Sequence, residues 1–126
     1  MFIRKAALAA MLVVAIAPWP ALGEATKMTG PDISTALTGN TVHGMWGETE
    51  YYSFFDANGD TIYTTKKGAD KGTWRVTDTQ YCSVWGTTED CYNLHRDGDK
   101  IVWEVPASGQ RYDTMLMEGK AEPKFE

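Results

Sequence analysis

From Thr41 onward, hydrophobic and polar positions alternate with a period of two instead of recurring every three or four residues. Turn-forming pairs interrupt the alternation about every 8 to 14 residues, the rhythm of an antiparallel meander. Strands are predicted over 41–46, 49–55, 60–66, 72–76, 80–85, 88–96, 99–105 and 111–117. Upstream, Asp32 is placed to cap a short helix over 33–37, with Pro31 just before it and Gly39-Asn40 ending it. Residues 24–30 read as a loose lead-in.

Three turns propose registers. Asn58-Gly59 is a strong two-residue hairpin signal, because both positions tolerate positive φ. Centring the turn there sets Phe55 opposite Ile62 and Ser53 opposite Thr64. Asp97-Gly98, treated the same way, pairs Leu94 with Ile101 and Tyr92 with Trp103. Gly86-Thr87 suits a type II′ turn, which takes Gly first, and it sets Cys82 opposite Cys91. Alternate residues of a strand share a face, so Tyr81, Tyr92 and Trp103 fall in one row, with Glu104 on the other face. A four-residue turn over 77–80 extends that row to Val76 and puts Trp74 across from Ser83. His95 falls on the disulfide face, opposite Lys100 and toward solvent. Short up-and-down strands hide their edges best by closing. The expected fold is therefore all-β: an antiparallel up-and-down meander of about eight strands, closing into a small barrel or barrel-like sandwich, with one short N-terminal helix.

Composition supports sheets over a helix bundle, since Trp, Tyr, Phe and Met are plentiful after Glu24 and Leu, Ile and Val are scarce. The N-terminus has the three parts of a secretory signal peptide. Arg4 and Lys5 are followed by an uncharged apolar run over 6–17, then by Pro18, Pro20 and the small-residue site Ala21-Leu22-Gly23. That run of 12 residues is shorter than the ~20 a membrane-spanning helix needs. Cleavage after Gly23 is expected to leave a single domain over 24–126, soluble and without membrane insertion, in the periplasm or secreted. The remaining 10 Lys and Arg against 17 Asp and Glu give a net charge of −7. Such a balance speaks against nucleic acid and anionic membranes as partners.

Cys82 and Cys91 are the only cysteines, and an even number in an exported chain implies a disulfide. Their spacing is not the C-x-x-C of redox-active pairs, so a structural bond is expected. Asp56, Asn58 and Asp60 alternate like the opening of a calcium loop. Thr61 and Lys67, however, stand where an EF-hand needs Gly and Glu, which leaves a polar hairpin tip. Nothing in the spacing of His43 and His95 brings the two imidazoles together for a metal. Lys66, Lys67, Lys71 and Arg75 form one basic patch, read as edge-strand protection. Neither a nucleophile elbow nor a phosphate loop occurs, so no catalytic residue, metal ligand or cofactor is assigned.

Leu37-Thr38-Gly39-Asn40-Thr41, Asn58-Gly59, the Gly72-Thr73-Trp74-Arg75-Val76 run, Cys82, Cys91-Tyr92 and Arg96-Asp97-Gly98-Asp99 together form a pattern. It resembles that of a group of small exported bacterial proteins of unknown function, and the likeness implies a lipocalin-like β-barrel or meander. Ser108-Gly109-Gln110-Arg111-Tyr112 is similar to the S-G-x-x-Y loop of the periplasmic C-type lysozyme inhibitors. That likeness implies that Ser108 and Tyr112 contact a cationic enzyme. The leading expectation is a non-enzymatic exported binding domain for a small apolar ligand or a protein partner. Its alternative is a periplasmic inhibitor of an enzyme such as c-type lysozyme. A cavity lined by Trp and Tyr would favour the small ligand.

Overall fold

The computed structural model describes residues 25–126. The signal peptide expected over 1–23 and its cleavage point lie outside the described residues. Eight antiparallel strands form an up-and-down barrel: β2 (Thr41–Trp46), β3 (Thr49–Phe55), β4 (Asp60–Thr65), β5 (Gly68–Val76), β6 (Tyr81–Trp85), β7 (Thr88–Asp97), β8 (Lys100–Glu104) and β9 (Arg111–Met117). Each pairs with the next, and β9 returns to β2 through Thr41 opposite Met117 and Gly44 opposite Thr114, closing the sheet. A two-residue strand, β1 (Thr26–Lys27), takes the place beside β7 that β6 vacates beyond Tyr81, with Thr26 opposite Arg96 and Lys27 opposite His95.

The hairpins bear out one proposed register and correct two. Cys82 faces Cys91, and Tyr81 faces Tyr92. Gly86 has φ 72° and Thr87 does not follow it into positive φ, as a type II′ turn requires. Val76 opposite Tyr81 and Trp74 opposite Ser83 also stand as expected.

At Asn58-Gly59, however, the loop holds three residues. The Asp56 carboxylate accepts from Asn58 N, Asn58 Oδ1 accepts from Asp60 N, and Gly59 takes the left-handed position at φ 96°. Phe55 therefore faces Thr61, and Ile62 turns outward with Phe54. One residue of slip exchanges the two faces of a strand. At the next turn the central pair is Gly98-Asp99, so Leu94 faces Trp103 and Arg96 faces Ile101. This slip is by two, and the inward set survives it.

The lead-in is not loose. Met28 is buried and donates its N–H to Leu94 O at 2.8 Å. The helix α1 (Gly30–Leu37) is capped by Thr29, with Asp32 completing a capping box instead of being the cap itself. Gly30 lies against the β5–β6 turn, its N–H bonded to Asp78 O at 2.8 Å. From there Ile33, Ala36 and Leu37 close one end of the barrel and join Val42, Phe55, Leu94, Ile101 and Trp103 in the core.

His95 is also corrected. It faces Val102, with its side chain 9% exposed and its Nε2 3.6 Å from a Glu104 carboxylate oxygen, on the stretch of β7 that is flanked in the sheet by β1. The tail after β9 forms a cover that the sequence does not announce. Gly119 and Ala121 bond to Asn40 and Thr41, Lys124 O accepts from the Tyr52 hydroxyl at 3.0 Å, and Phe125 packs edge-on to Tyr52.

Cys82 and Cys91 are bonded, with Cα atoms 4.1 Å apart across the β6–β7 hairpin. The pair closes a 10-residue loop, which stabilises by ~2.7 kcal/mol in the chain-entropy model. Replacing both by Ser is expected to lower the melting temperature by roughly 10–20 °C while the barrel still folds. Circular dichroism melts of the two proteins measure this, and equal midpoints would contradict it.

Candidate functional site

Inside the barrel, above the helix-plugged end, lies a pocket of about 380 Å³ that opens at the opposite end. Its position follows from strand alternation. Inward positions deep in the barrel carry Phe55, Tyr81 and Trp103, which form the floor. Middle positions carry Tyr51, Ser53, Ser83 and Tyr92, and the serines leave the space that large residues at their places would fill. The mouth is ringed by Trp46, Tyr63, Asp70, Trp85 and Tyr112, at strand ends near the β2–β3, β4–β5, β6–β7 and β8–β9 turns.

Specific contacts hold these rings. On the floor, Tyr81 meets Trp103 edge-on at 4.8 Å, and Phe55 meets Tyr81 edge-on at 5.7 Å. Edge-to-face rings align a positive rim with a negative face, which favours this arrangement. Trp103 Nε1 donates to Thr114 Oγ1 at 2.9 Å, and that hydroxyl donates in turn to Ile101 O. At the mouth Trp46 packs on Tyr112 at 4.6 Å, and Trp85 meets Tyr63 edge-on at 6.0 Å. Trp85 also donates from Nε1 to Ser83 Oγ at 3.2 Å. Gly72 permits this placement, since a Cβ there would stand 2.8 Å from the Trp85 ring and 2.6 Å from Val84 O.

The interior hydroxyls are neutral. Burial pushes the Tyr51 phenol well above the ordinary tyrosine value, helped by Tyr63 and Tyr92. Burial does the same to Tyr81, with the neighbouring Ser83 and Thr61 hydroxyls opposing it. Neutral phenols in an apolar wall donate and accept hydrogen bonds without charge.

Ser108 and Tyr112 are on the same rim but in different settings. Ser108 is exposed in the β8–β9 loop, where its Oγ accepts from Gln110 N at 3.2 Å. Tyr112 is half-buried under Trp46 and lines the pocket. Sequence reasoning found Tyr112 through a short motif, whereas alternation of inward positions is the signal that marks it as cavity wall. The same signal marks Tyr51, Trp85 and Asp70, none of which was singled out.

Three of the four basic residues are engaged by neighbours. Lys71 pairs with Asp60 at 3.1 Å, Arg75 takes Glu89 through two nitrogens, and Lys66 donates to Glu126 O. The one group of three potential metal-ligating side chains among the described residues is Cys82, Glu89 and Cys91. The bond between its sulfurs leaves no thiolate to offer. Comparison of the chain with models of protein families, with curated proteins and with solved structures gives no match, so the cavity's own chemistry carries the functional reading.

Proposed function

We propose that this domain is a non-enzymatic exported binding protein that holds a small, largely apolar ligand inside its barrel. The observation that carries this reading is the open-ended pocket of about 380 Å³, in which nine of the thirteen lining residues are aromatic. Ligand sites are typically concave, mostly apolar and ~300–1,000 Å³ in volume, with a few polar groups to orient the occupant. Here Ser53, Ser83 and the tyrosine hydroxyls supply those groups. An apolar cavity of about 150 Å³ holds a benzene ring, so this one suits roughly a two-ring compound. The Cys82–Cys91 bond fits an oxidising compartment, in line with the leader-like residues at the N-terminus. Inhibition of an enzyme through Ser108 and Tyr112 has less support, because Tyr112 packs on Trp46 at 4.6 Å and lines the pocket.

The test uses 1-naphthol, followed by quenching of tryptophan fluorescence. At about −0.5 kcal/mol per non-hydrogen atom, its Kd should be on the order of 0.1 mM. Ser53, buried and facing the pocket, provides the blocking variant. Ser53→Phe places a ring in the void, and tenfold or weaker binding is expected with the circular dichroism spectrum unchanged. Undiminished binding in a folded Ser53→Phe protein would contradict the assignment.

A further inference from the structure

Resting on the small-ligand reading above, we propose that the preferred occupant is an organic cation, an alkylated ammonium on an apolar body, held by the rings of the mouth and the carboxylate of Asp70. The pocket lining contains nine aromatic residues and one carboxylate, and no Lys, Arg or His. Aromatic faces carry negative charge density, and a cation within about 6 Å of a ring centroid is attracted most strongly where water is excluded. An anionic ligand would meet ring faces, neutral hydroxyls and Asp70, with no positive charge to receive it.

Asp70 differs from most acids of the barrel wall, as does Asp90. Glu50, Asp60, Glu89, Glu104 and Asp113 each lie within 4 Å of a basic side chain. Asp70 has no such partner among the described residues. Its neighbour Lys71 belongs to the outward set and is paired with Asp60, as strand alternation dictates. Asp70 stands opposite Tyr63 in the β4–β5 pair, and Tyr63 reports its charge: burial first, then Asp70, raises the phenol's pKa.

Asp90 adds a second carboxylate on the inward row, opposite the pocket residue Ser83, and its charge likewise bears on Tyr92. Bases near the mouth do not cancel these charges. Arg111 is engaged by Glu104 at 2.9 Å, Lys66 reaches Glu126 O, and Lys67 sits exposed at the tip of the β4–β5 turn, outside the lining. An unpaired carboxylate over an aromatic funnel is the arrangement that recognises an ammonium by charge while its alkyl groups rest on ring faces.

A matched pair of probes separates charge from shape. Phenyltrimethylammonium and tert-butylbenzene are near-isosteric, and only the first is charged. Binding of each to the wild type and to Asp70→Asn is measured by tryptophan fluorescence at 50 and 500 mM NaCl. The expected result is ~10-fold or greater preference for the cation at low salt, narrowed by high salt and cut several-fold in Asp70→Asn, with tert-butylbenzene unaffected by the substitution. Equal affinities, or preference for tert-butylbenzene, would overturn the cation assignment and leave the apolar-ligand reading standing. Absence of binding by both probes would overturn both. A cation preference unchanged in Asp70→Asn and insensitive to salt would overturn the role given to the carboxylate. Asp70 is exposed at the mouth, and melting curves verify that its variant is folded.

Discussion

Trp103→Ala is expected to destabilise the domain by about 3–5 kcal/mol, the range for removing a large ring from a packed interior. Trp103 is 8% exposed and is the piece that joins the helix-side core to the pocket floor. Its ring meets Tyr81 at 4.8 Å, Tyr92 at 6.1 Å and Phe55 at 6.2 Å, so truncation removes a contact from each of three neighbouring rings. The Thr114 hydroxyl would lose a donor while keeping its own bond to Ile101 O. Because the new void opens into the existing pocket, closed-barrel strands would have to move to fill it, and little relaxation is available. A domain of this size has about 5–15 kcal/mol in total, so the variant should melt roughly 12 °C lower or more. Glu104→Ala, one residue on and facing out, removes the acceptor for Arg111 and Asn93 and should cost less than the loss of the ring. Chemical denaturation of both variants measures the contrast. Equal losses would contradict the inward placement of Trp103.

Gly30→Ala should also be severe, and its sign is informative. In an ordinary helix, replacing Gly by Ala stabilises by about 0.5–1 kcal/mol. Here the added Cβ would stand 2.0 Å from Thr77 O and 3.0 Å from the carbonyl carbon, both backbone atoms of the β5–β6 turn. That turn is itself held by Thr77, whose N–H bonds to Gln80 O and whose Oγ1 accepts from Gln80 N. Neither partner is a flexible side chain, so α1 must lift from the barrel end and give up the Gly30–Asp78 bond. A cost of about 3 kcal/mol is expected, at the upper end for overpacking. Urea titration with an unchanged slope and a lower midpoint would show it. A more stable variant would mean that α1 does not dock where the structure places it.

How much was legible follows from which signals are local. Strand positions and the closed meander came from alternation and turn pairs, which the chain states within a few residues. The Gly86-Thr87 turn sets Cys82 against Cys91 with no help from distant parts. Asn58-Gly59 misled because Asp56 and Asn58 each use a side chain to cap a backbone N–H, lengthening the loop by one residue. Two-residue hairpin rules do not see such bonds. The surroundings of His95 and Tyr52 involve β1, paired beside His95, and the tail beyond β9, segments distant in sequence from both residues. The pocket was legible only as a condition, that a cavity lined by Trp and Tyr would favour a small ligand; the small Ser53 and Ser83 that leave its space were not read as a sign of it. Whether rings fill a barrel or line a hollow depends on their mutual angles, which residue identities do not specify.

The most direct test is where 1-naphthol sits when bound. Intermolecular nuclear Overhauser effects locate its ring protons without any substitution. The pocket predicts contacts to the ring protons of Tyr51, Tyr81 and Trp85. A competing apolar surface exists outside the barrel, where Met115 and Met117 are 47% and 37% exposed. Contacts confined to those methionine methyl groups, or no contacts to the three inward rings at saturating naphthol, would contradict the account.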